Sequence, residues 1–173
     1  MALLSVFREL VLSRGYTAVT VGDIIRHANI GRSTFYLHFS SKLNLLRHSL
    51  DGHCTTLAGC VDADVAPEHL VPLLGHYREQ RHRNSIFFED PIRSIWVQRL
   101  AHLIEQKLRE HPSPPRERNS LPRSLVAWTI AEMQIAMIIY WLRSAGSVTL
   151  ERLAAAILSN TRALLPSSRR PPA

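Results

Sequence analysis

Apolar residues recur every three to four positions along almost the whole chain, and few helix-breaking residues interrupt them. This period marks one face of an α-helix, whereas a half-buried strand alternates apolar and polar residues. Only seven of the 173 residues are glycine. The breaks fall at Gly15, Asn29, Gly31, Pro67 and Gly146 and in two proline-containing stretches, 84–91 and 112–122. The sequence therefore predicts an all-α fold.

Two local signals set the ends of the first predicted helices. Gly15 follows an apolar helical stripe in residues 3–11 and suits the left-handed backbone at a helix C-terminus. Thr20 precedes a second stripe, and Asp23, three residues later, completes a weak capping box. The first helix is therefore expected to end before Gly15, and a short second helix to begin after Thr20.

A tight connection is predicted after the second helix. Asn29 tolerates positive φ, and Gly31 is acceptable as the N-cap of a third helix from Arg32 to Phe39. Further caps and prolines predict five later helices, which run from Ser41 to about Val61, from Pro67 to about Arg83, from Pro91 to about Glu110, from Ser120 to Arg143 and from Thr149 to about Leu164.

The charge is unevenly distributed along the chain. The formal net charge is +7, and 19 of the 21 cations are arginine. Residues 1–50 carry six basic and two acidic side chains, residues 51–110 carry seven and nine, and residues 111–173 carry eight and three. A basic first segment favours a polyanionic partner, although such charge also serves solubility.

The composition is that of an ordinary globular protein, with 46% hydrophobic and 20% charged residues. The longest uninterrupted apolar run is the eight residues from Ile135 to Leu142, well short of the roughly 20 that cross a bilayer. Arg8 and Glu9 stand where a secretory signal would place apolar residues. We therefore expect a cytoplasmic protein without a membrane partner.

No catalytic or metal site is predicted. Cys54 and Cys60 have neither the spacing of a zinc site nor that of a disulfide framework, and they are expected to be buried or half-buried helix residues. His102 and Glu105 share a helical face but supply too few ligands for a metal. A helical-bundle enzyme built on such scattered groups is an alternative for which no nucleophile, base and orienting group can be assigned. We expect no cofactor.

Residues 20–39 fit a helix-turn-helix, in which one short helix braces a second one for entry into a DNA major groove. Phe35 and Phe39, four residues apart, are expected to anchor the second helix in the core. The side chains that then face solvent are Arg32, Ser33, Thr34, Tyr36, Leu37 and His38. A polar, aromatic and basic surface of this kind is what a helix needs to contact base edges.

The stretch from Gly15 to Lys42, and above all its run RSTFYLHFSSK, resembles the DNA-binding region of TetR-like (tetracycline-repressor-like) transcriptional regulators. The motif is specific and covers about a sixth of the chain. The rest of the sequence agrees with the family in its all-helical pattern and its length. The resemblance implies an N-terminal three-helix DNA-binding domain, followed by a helical ligand-binding and dimerisation bundle.

The resemblance also implies roles for single residues. The residues expected to contact DNA phosphates are Thr20, Tyr36, His38 and Lys42. The residues expected nearest the base edges are Arg32, Ser33, Thr34 and Leu37. Of these, Arg32 is suited to bidentate recognition of guanine, and Leu37 to contact with thymine methyl groups. Each residue also has a plain structural explanation, such as helix capping by Thr20 or edge packing by Tyr36.

The sequence departs from the family pattern at several positions. Asn29 replaces the usual glycine of the turn, Gly31 and Ser33 replace a common serine and glycine, and Leu43 replaces a frequent acidic residue. None of these changes is expected to break the fold. The sequence starts almost at the first helix, so we expect no minor-groove contacts from a preceding basic arm unless the true start lies upstream.

The helix predicted from Ser120 to Arg143 is apolar almost all round, which requires burial on more than one side. With the final helix it can form half of an intersubunit four-helix bundle, so a homodimer through residues 120–164 is predicted. A self-contained bundle is the alternative. The expected organisation is a DNA-binding domain in residues 1–45, a ligand-binding and dimerisation domain in residues 46–165, and a disordered tail in residues 166–173.

By resemblance, a small-molecule inducer is expected to bind among the middle helices. The candidate pocket residues are Tyr77, Phe87, Phe88, Trp96, Trp128 and Met133. Core packing is the commoner explanation of such side chains. The function expected from the sequence is that of a one-component, ligand-responsive repressor that binds a palindromic operator as a dimer. The alternative is an interaction module whose helix-turn-helix no longer binds DNA.

Overall fold

The computed structural model describes residues 2–81, 89–110, 121–144 and 148–165, and these residues contain no β-strand. Two short 3-10 turns occur at Gly59–Val61 and Pro67–His69. The all-α prediction is therefore confirmed. The α-helices of the described residues are α1 (Ala2–Arg14), α2 (Val21–Ala28), α3 (Arg32–His38), α4 (Lys42–Ala58), α5 (Val71–Glu79), α6 (Ile92–Glu110), α7 (Arg123–Arg143) and α8 (Leu150–Leu164).

The helix ends follow the local signals in the sequence. Gly15 has φ 79° and follows α1, where its N–H donates to the carbonyl of Val11 at 2.9 Å. Asn29 has φ 51° and ends α2 in the left-handed region. Thr20 and Thr149 are the N-caps of α2 and α8, and the side chain of each accepts a hydrogen bond from a first-turn amide. The predicted roles of Gly15, Asn29 and Thr20 are confirmed, and the last helix starts at Thr149 as predicted.

Three predicted helix bounds were wrong. Helix α3 ends at His38, because Phe39 is already extended, with φ −136°. Helix α4 ends at Ala58 and tightens into a 3-10 turn at Gly59, a residue of low helix propensity. The helix predicted from Pro67 begins as a 3-10 turn, and α5 starts afresh beside Pro72, which lacks an N–H and crowds the preceding turn.

Several predictions concern residues that the structure does not describe. The predicted end of the fifth helix at Arg83, the predicted cap at Ser120 and the tail 166–173 lie outside the described residues. Helix α7 begins at Arg123, after Pro122.

The chain divides into two compact units. The first comprises residues 1–52 and 80–96, and the second comprises residues 53–79 and 97–173. In the first unit α1 packs against α2. The core of this unit is apolar. Its fully buried side chains include Phe7, Val11, Val19, Ile24, Phe35, Leu45, Leu46 and Trp96.

The second unit is held together by α5, α7 and α8, which pack against one another. The fully buried Gln134 of α7 donates through Nε2 to the Thr161 hydroxyl at 2.9 Å and to the Leu57 carbonyl at 3.3 Å, so this polar side chain is hydrogen-bonded within the core. Helix α7 is long and apolar enough to cross a membrane by length and composition. Eight of its 21 residues are buried within the unit, as in the core helix of a globular protein.

Candidate nucleic-acid interface

A compact turn joins α2 to α3. The N–H of Asn29 donates to the Arg26 carbonyl at 3.3 Å, and the N–H of Ile30 donates to the Ile25 carbonyl at 3.2 Å. Gly31 then adopts an extended conformation, with φ −71° and ψ 151°, as the N-cap of α3. The left-handed Asn29 reverses the chain within three residues, which is the connection that a helix-turn-helix requires.

The N-terminus of α2 is closed by a full capping box. Thr20 Oγ1 accepts from the Asp23 N–H at 3.1 Å, while the Thr20 N–H and hydroxyl donate to Asp23 Oδ2 at 3.0 and 2.6 Å. These hydrogen bonds are the main reason that the pKa of Asp23 lies below its usual value, and Arg26 and Arg14 add a smaller electrostatic effect. The Thr20 hydroxyl is therefore engaged within the cap.

The same helix end offers backbone donors to an anion. In any α-helix the first amides have no intrahelical carbonyl partner, and the helix dipole adds positive potential there. The N–H groups of Val21 and Gly22 occupy these positions in α2. These two amides are the donors that this helix end offers to an anion, since the Thr20 hydroxyl proton is held by Asp23.

Replacing Thr20 by valine is expected to lower the free energy of unfolding of the protein by about 1 kcal/mol, because the shape of the side chain is kept while the cap loses its hydroxyl. Urea denaturation followed by circular dichroism measures the change. Thr17→Val, at an exposed position outside the cap, is the matched control and should leave stability almost unchanged. Equal losses in the two variants would contradict the capping role.

Helix α3 has one buried anchor and a largely exposed surface. The Phe35 side chain is 0% exposed, whereas Leu37 is 79% and Tyr36 is 48% exposed. The other exposed side chains of α3 are those of Arg32, Ser33, Thr34 and His38. All six side chains predicted to face solvent do so, and the core position of Phe35 is confirmed.

Phe39 differs from its predicted place in the core. It is only half-buried, and its ring lies 6.0 Å from that of Phe35 and 5.5 Å from that of His48. The reason is that Phe39 follows the last helical residue, so it leaves the helical stripe that would have carried it beside Phe35. It packs at the rim of the core.

Lys42, at the start of α4, makes contacts within the first unit that the sequence did not reveal. Its Nζ donates to the carbonyls of Val19 at 2.6 Å and Tyr16 at 2.8 Å, and lies 4.3 Å from the centre of the Tyr16 ring. Partial burial lowers the pKa of Lys42. Two of its three N–H donors are thus engaged by backbone carbonyls. We call this arrangement the Lys42 clasp.

The predicted pocket residues occupy different environments. Tyr77 is buried in the second unit beside His53 and His76, and burial raises its pKa well above the usual value. Trp96 is buried in the first unit, while Met133 is half-buried. Trp128 is 43% exposed and so does not line an enclosed interior. Phe87 and Phe88 lie outside the described residues, and the pocket stays a prediction.

The residues considered for a catalytic or metal site lie in ordinary structural surroundings. Glu105 accepts from Arg109 at 2.7 Å, and His102 is exposed. Cys54 and Cys60 are buried, and burial raises the pKa of Cys60 to about 12. Within the described ranges, no three histidine, cysteine or carboxylate side chains are grouped to hold a metal ion.

Comparison with known proteins relates the N-terminal helices to a family of DNA-binding regulators. Residues 3–48 match the model of bacterial regulatory proteins of the TetR family. The chain is also similar to the solved structure of a TetR transcriptional regulator from Streptococcus agalactiae, with 26% identity, 92% of this chain and 91% of that chain covered, and a TM-score of 0.54.

Two more distant structures share the fold. One is the dihydroxyacetone kinase operon activator DhaS, with 20% identity, 94% of this chain and 93% of that chain covered, and a TM-score of 0.51. The other is the fatty acid degradation regulator FadR from Bacillus halodurans, with 16% identity, 97% of this chain and 95% of that chain covered, and a TM-score of 0.51. No curated protein matches the chain. Residues 3–48 thus match the TetR family of bacterial regulatory proteins, and the chain as a whole shares the all-helical fold of the TetR transcriptional regulator from Streptococcus agalactiae.

Proposed function

We propose that the protein is a repressor that binds a palindromic operator as a homodimer and is released by a small molecule. The observation that carries the proposal is the arrangement of α3, whose six polar, basic and apolar side chains are exposed around a fully buried Phe35 ring. An anchored helix with such a surface fits a major groove about 12 Å wide. A dimer bound over a promoter blocks transcription without any catalysis.

The proposed contacts divide into two classes. The N-terminal amides of α2 beside Thr20, the Tyr36 hydroxyl, His38 and the remaining N–H of Lys42 bind phosphates and fix the register of the protein. Side chains on the exposed face of α3 lie nearest the bases. These are Arg32, Ser33, Thr34 and Leu37, with Arg32 assigned to guanine and Leu37 to a thymine methyl group.

The proposed dimer rests on an exposed apolar surface of the second unit. On α7, Leu125 and Trp128 are 48% and 43% exposed, and Tyr140 is 75% exposed. Helical spacing places these residues on one side of α7, opposite its buried face. On α8 the exposed residues include Ala155, Ser159 and Ala163, whose small side chains allow a partner helix to approach closely. We name this combined surface the α7–α8 face and propose that a second copy covers it.

Two-fold symmetry gives the dimer its function. A closed pair of subunits presents two copies of α3, which meet successive major grooves when half-sites lie about one helical turn apart. An inducer bound in the second unit releases DNA only if it binds the released form more tightly than the DNA-bound form. Because the target is chromosomal DNA, we place the protein in the cytoplasm.

The salt dependence of DNA binding tests the phosphate contacts. A duplex enriched from a random pool by the wild-type protein serves as the probe. We expect the logarithm of the binding constant to fall linearly with the logarithm of salt concentration, and Lys42→Met to reduce the slope by about 0.9, the value for one lost phosphate contact. Lys42→Met should also lower thermal stability, because the carbonyls of Tyr16 and Val19 lose their shared donor.

Lys107 provides the matched control, since it is the only other lysine of the chain. It forms an ion pair with Asp62 at 2.6 Å in the second unit. Lys107→Met also removes one charge and the ion-pair partner of the half-buried Asp62 but should leave the slope unchanged. Equal slopes for Lys42→Met and the wild type would show that the Lys42 clasp acts only inside the first unit. Failure of the wild-type protein to bind any duplex at low salt would overturn the proposed function.

A further inference from the structure

Arg32 and Tyr36 form a cation–π pair on the exposed face of α3. The Arg32 Cζ lies 6.0 Å from the centre of the Tyr36 ring, at the outer limit for a cation–π contact. Four residues separate them, which places both side chains on the same side of the helix. Among the residues that the structure describes, no carboxylate forms an ion pair with Arg32, and its guanidinium lies over the Tyr36 ring.

The Tyr36 ring itself packs against the ring of Phe35. Its centre lies 5.3 Å from that of Phe35, and the two rings meet edge to face at 85°. Because Phe35 is fully buried, this contact ties the orientation of Tyr36 to the core of the first unit. Two ring contacts therefore connect the buried Phe35 to the exposed Arg32, with Tyr36 between them.

We propose that the Tyr36 ring positions Arg32 for base recognition and so contributes to operator specificity. The proposal rests on the proposed function, in which α3 enters the major groove. A bidentate contact to guanine requires the plane of the guanidinium to match two acceptors of one base. A long side chain that is already restricted loses less conformational entropy when it makes that contact. Tyr36 thus acts through Arg32 and is a positioning residue for base recognition.

The two parts of Tyr36 then have separable effects. Its hydroxyl is proposed to bind a phosphate, which strengthens binding to every sequence equally. Its ring is proposed to affect only the preference for the base that Arg32 contacts. Tyr36→Phe removes the hydroxyl and keeps the ring, whereas Tyr36→Leu removes both but keeps an apolar side chain of moderate size.

The experiment uses the full chain and a duplex enriched from a random pool by the wild-type protein. Arg32→Ala first identifies the base pair at which Arg32 discriminates, and each protein is then titrated against the enriched duplex and against its variant with adenine in place of guanine. We expect the wild type to prefer guanine by about 5- to 150-fold. Tyr36→Phe should weaken binding to both duplexes alike and keep this ratio, and Tyr36→Leu should lower the ratio by about two- to five-fold.

A double-mutant cycle shows whether the effect of the ring passes through Arg32. In the Arg32→Ala background, Tyr36→Leu should have no further effect on the ratio. The inference is overturned if Tyr36→Leu keeps the wild-type ratio, or if Tyr36→Leu still lowers the ratio in the Arg32→Ala background. It is also overturned if Arg32→Ala changes the ratio at no base pair. Circular dichroism of each variant excludes unfolding, and a wild type that enriches no sequence contradicts the proposed function itself.

Discussion

Replacing Phe35 by alanine is expected to lower the free energy of unfolding of the first unit by about 3–5 kcal/mol. The Phe35 ring is 0% exposed and is the buried anchor of a helix of only seven residues. A helix that short has little stability of its own, so its position depends on this contact with the core. The loss is large compared with a total stability of about 5–15 kcal/mol, and we expect DNA binding to disappear at every salt concentration.

Leu37 offers the control on the same helix. Its side chain is 79% exposed, so Leu37→Ala should change stability by no more than about 0.5 kcal/mol. The same variant should still bind DNA, with altered preference at a thymine. Urea denaturation followed by circular dichroism compares the two proteins directly. If Phe35→Ala unfolds at the same urea concentration as Leu37→Ala, α3 does not depend on its buried ring.

The Trp128→Glu variant is expected to be a monomer at concentrations where the wild type is a dimer. Tryptophan side chains within an interface often contribute at least 2 kcal/mol, and a carboxylate buried without a partner adds a further cost, so the dissociation constant of the dimer should rise by at least about 30-fold. Operator affinity should fall by about 10²- to 10⁴-fold, because the two recognition helices no longer bind as one linked pair. Sedimentation velocity and titration of the enriched duplex measure the two effects.

The control adds the same charge elsewhere in the second unit. Gln106 is exposed on α6, so Gln106→Glu should leave both sedimentation and DNA affinity unchanged. A wild-type protein that sediments as a 19.6 kDa monomer at micromolar concentration would contradict the proposed dimer. A Trp128→Glu variant that remains dimeric would show that the α7–α8 face is not its interface.

Most of the helix ends could be predicted because their causes are local. The left-handed backbone at Gly15 and Asn29 and the capping box of Thr20 and Asp23 depend on residues within four positions of each other. The exposed and buried sides of α3 followed from helical spacing in the same way. Phe39 was the exception, since spacing places a side chain correctly only while the helix continues.

The hydrogen bonds of the Lys42 clasp could not be predicted, because their acceptors are distant in the chain and are not side chains. The acceptors are the backbone carbonyls of Tyr16 and Val19, 26 and 23 residues earlier in the chain. Almost any residue at those positions would supply a carbonyl, so the sequence contains no signal for the contact. The role of Trp128 was ambiguous for another reason: spacing groups residues on one side of a helix but does not tell whether that side meets the core, a ligand or another subunit.

The central claim is that α3 enters the major groove and does so in pairs. Leu37→Cys, labelled with an iron-chelate reagent that cleaves nearby DNA, tests it most directly, because Cys54 and Cys60 are buried and labelling falls on the introduced thiol. On the enriched duplex we predict two clusters of cleavage about 10 base pairs apart, or separated by a multiple of the helical turn. Cleavage no stronger than that from the same reagent on Gln106→Cys would contradict the claim.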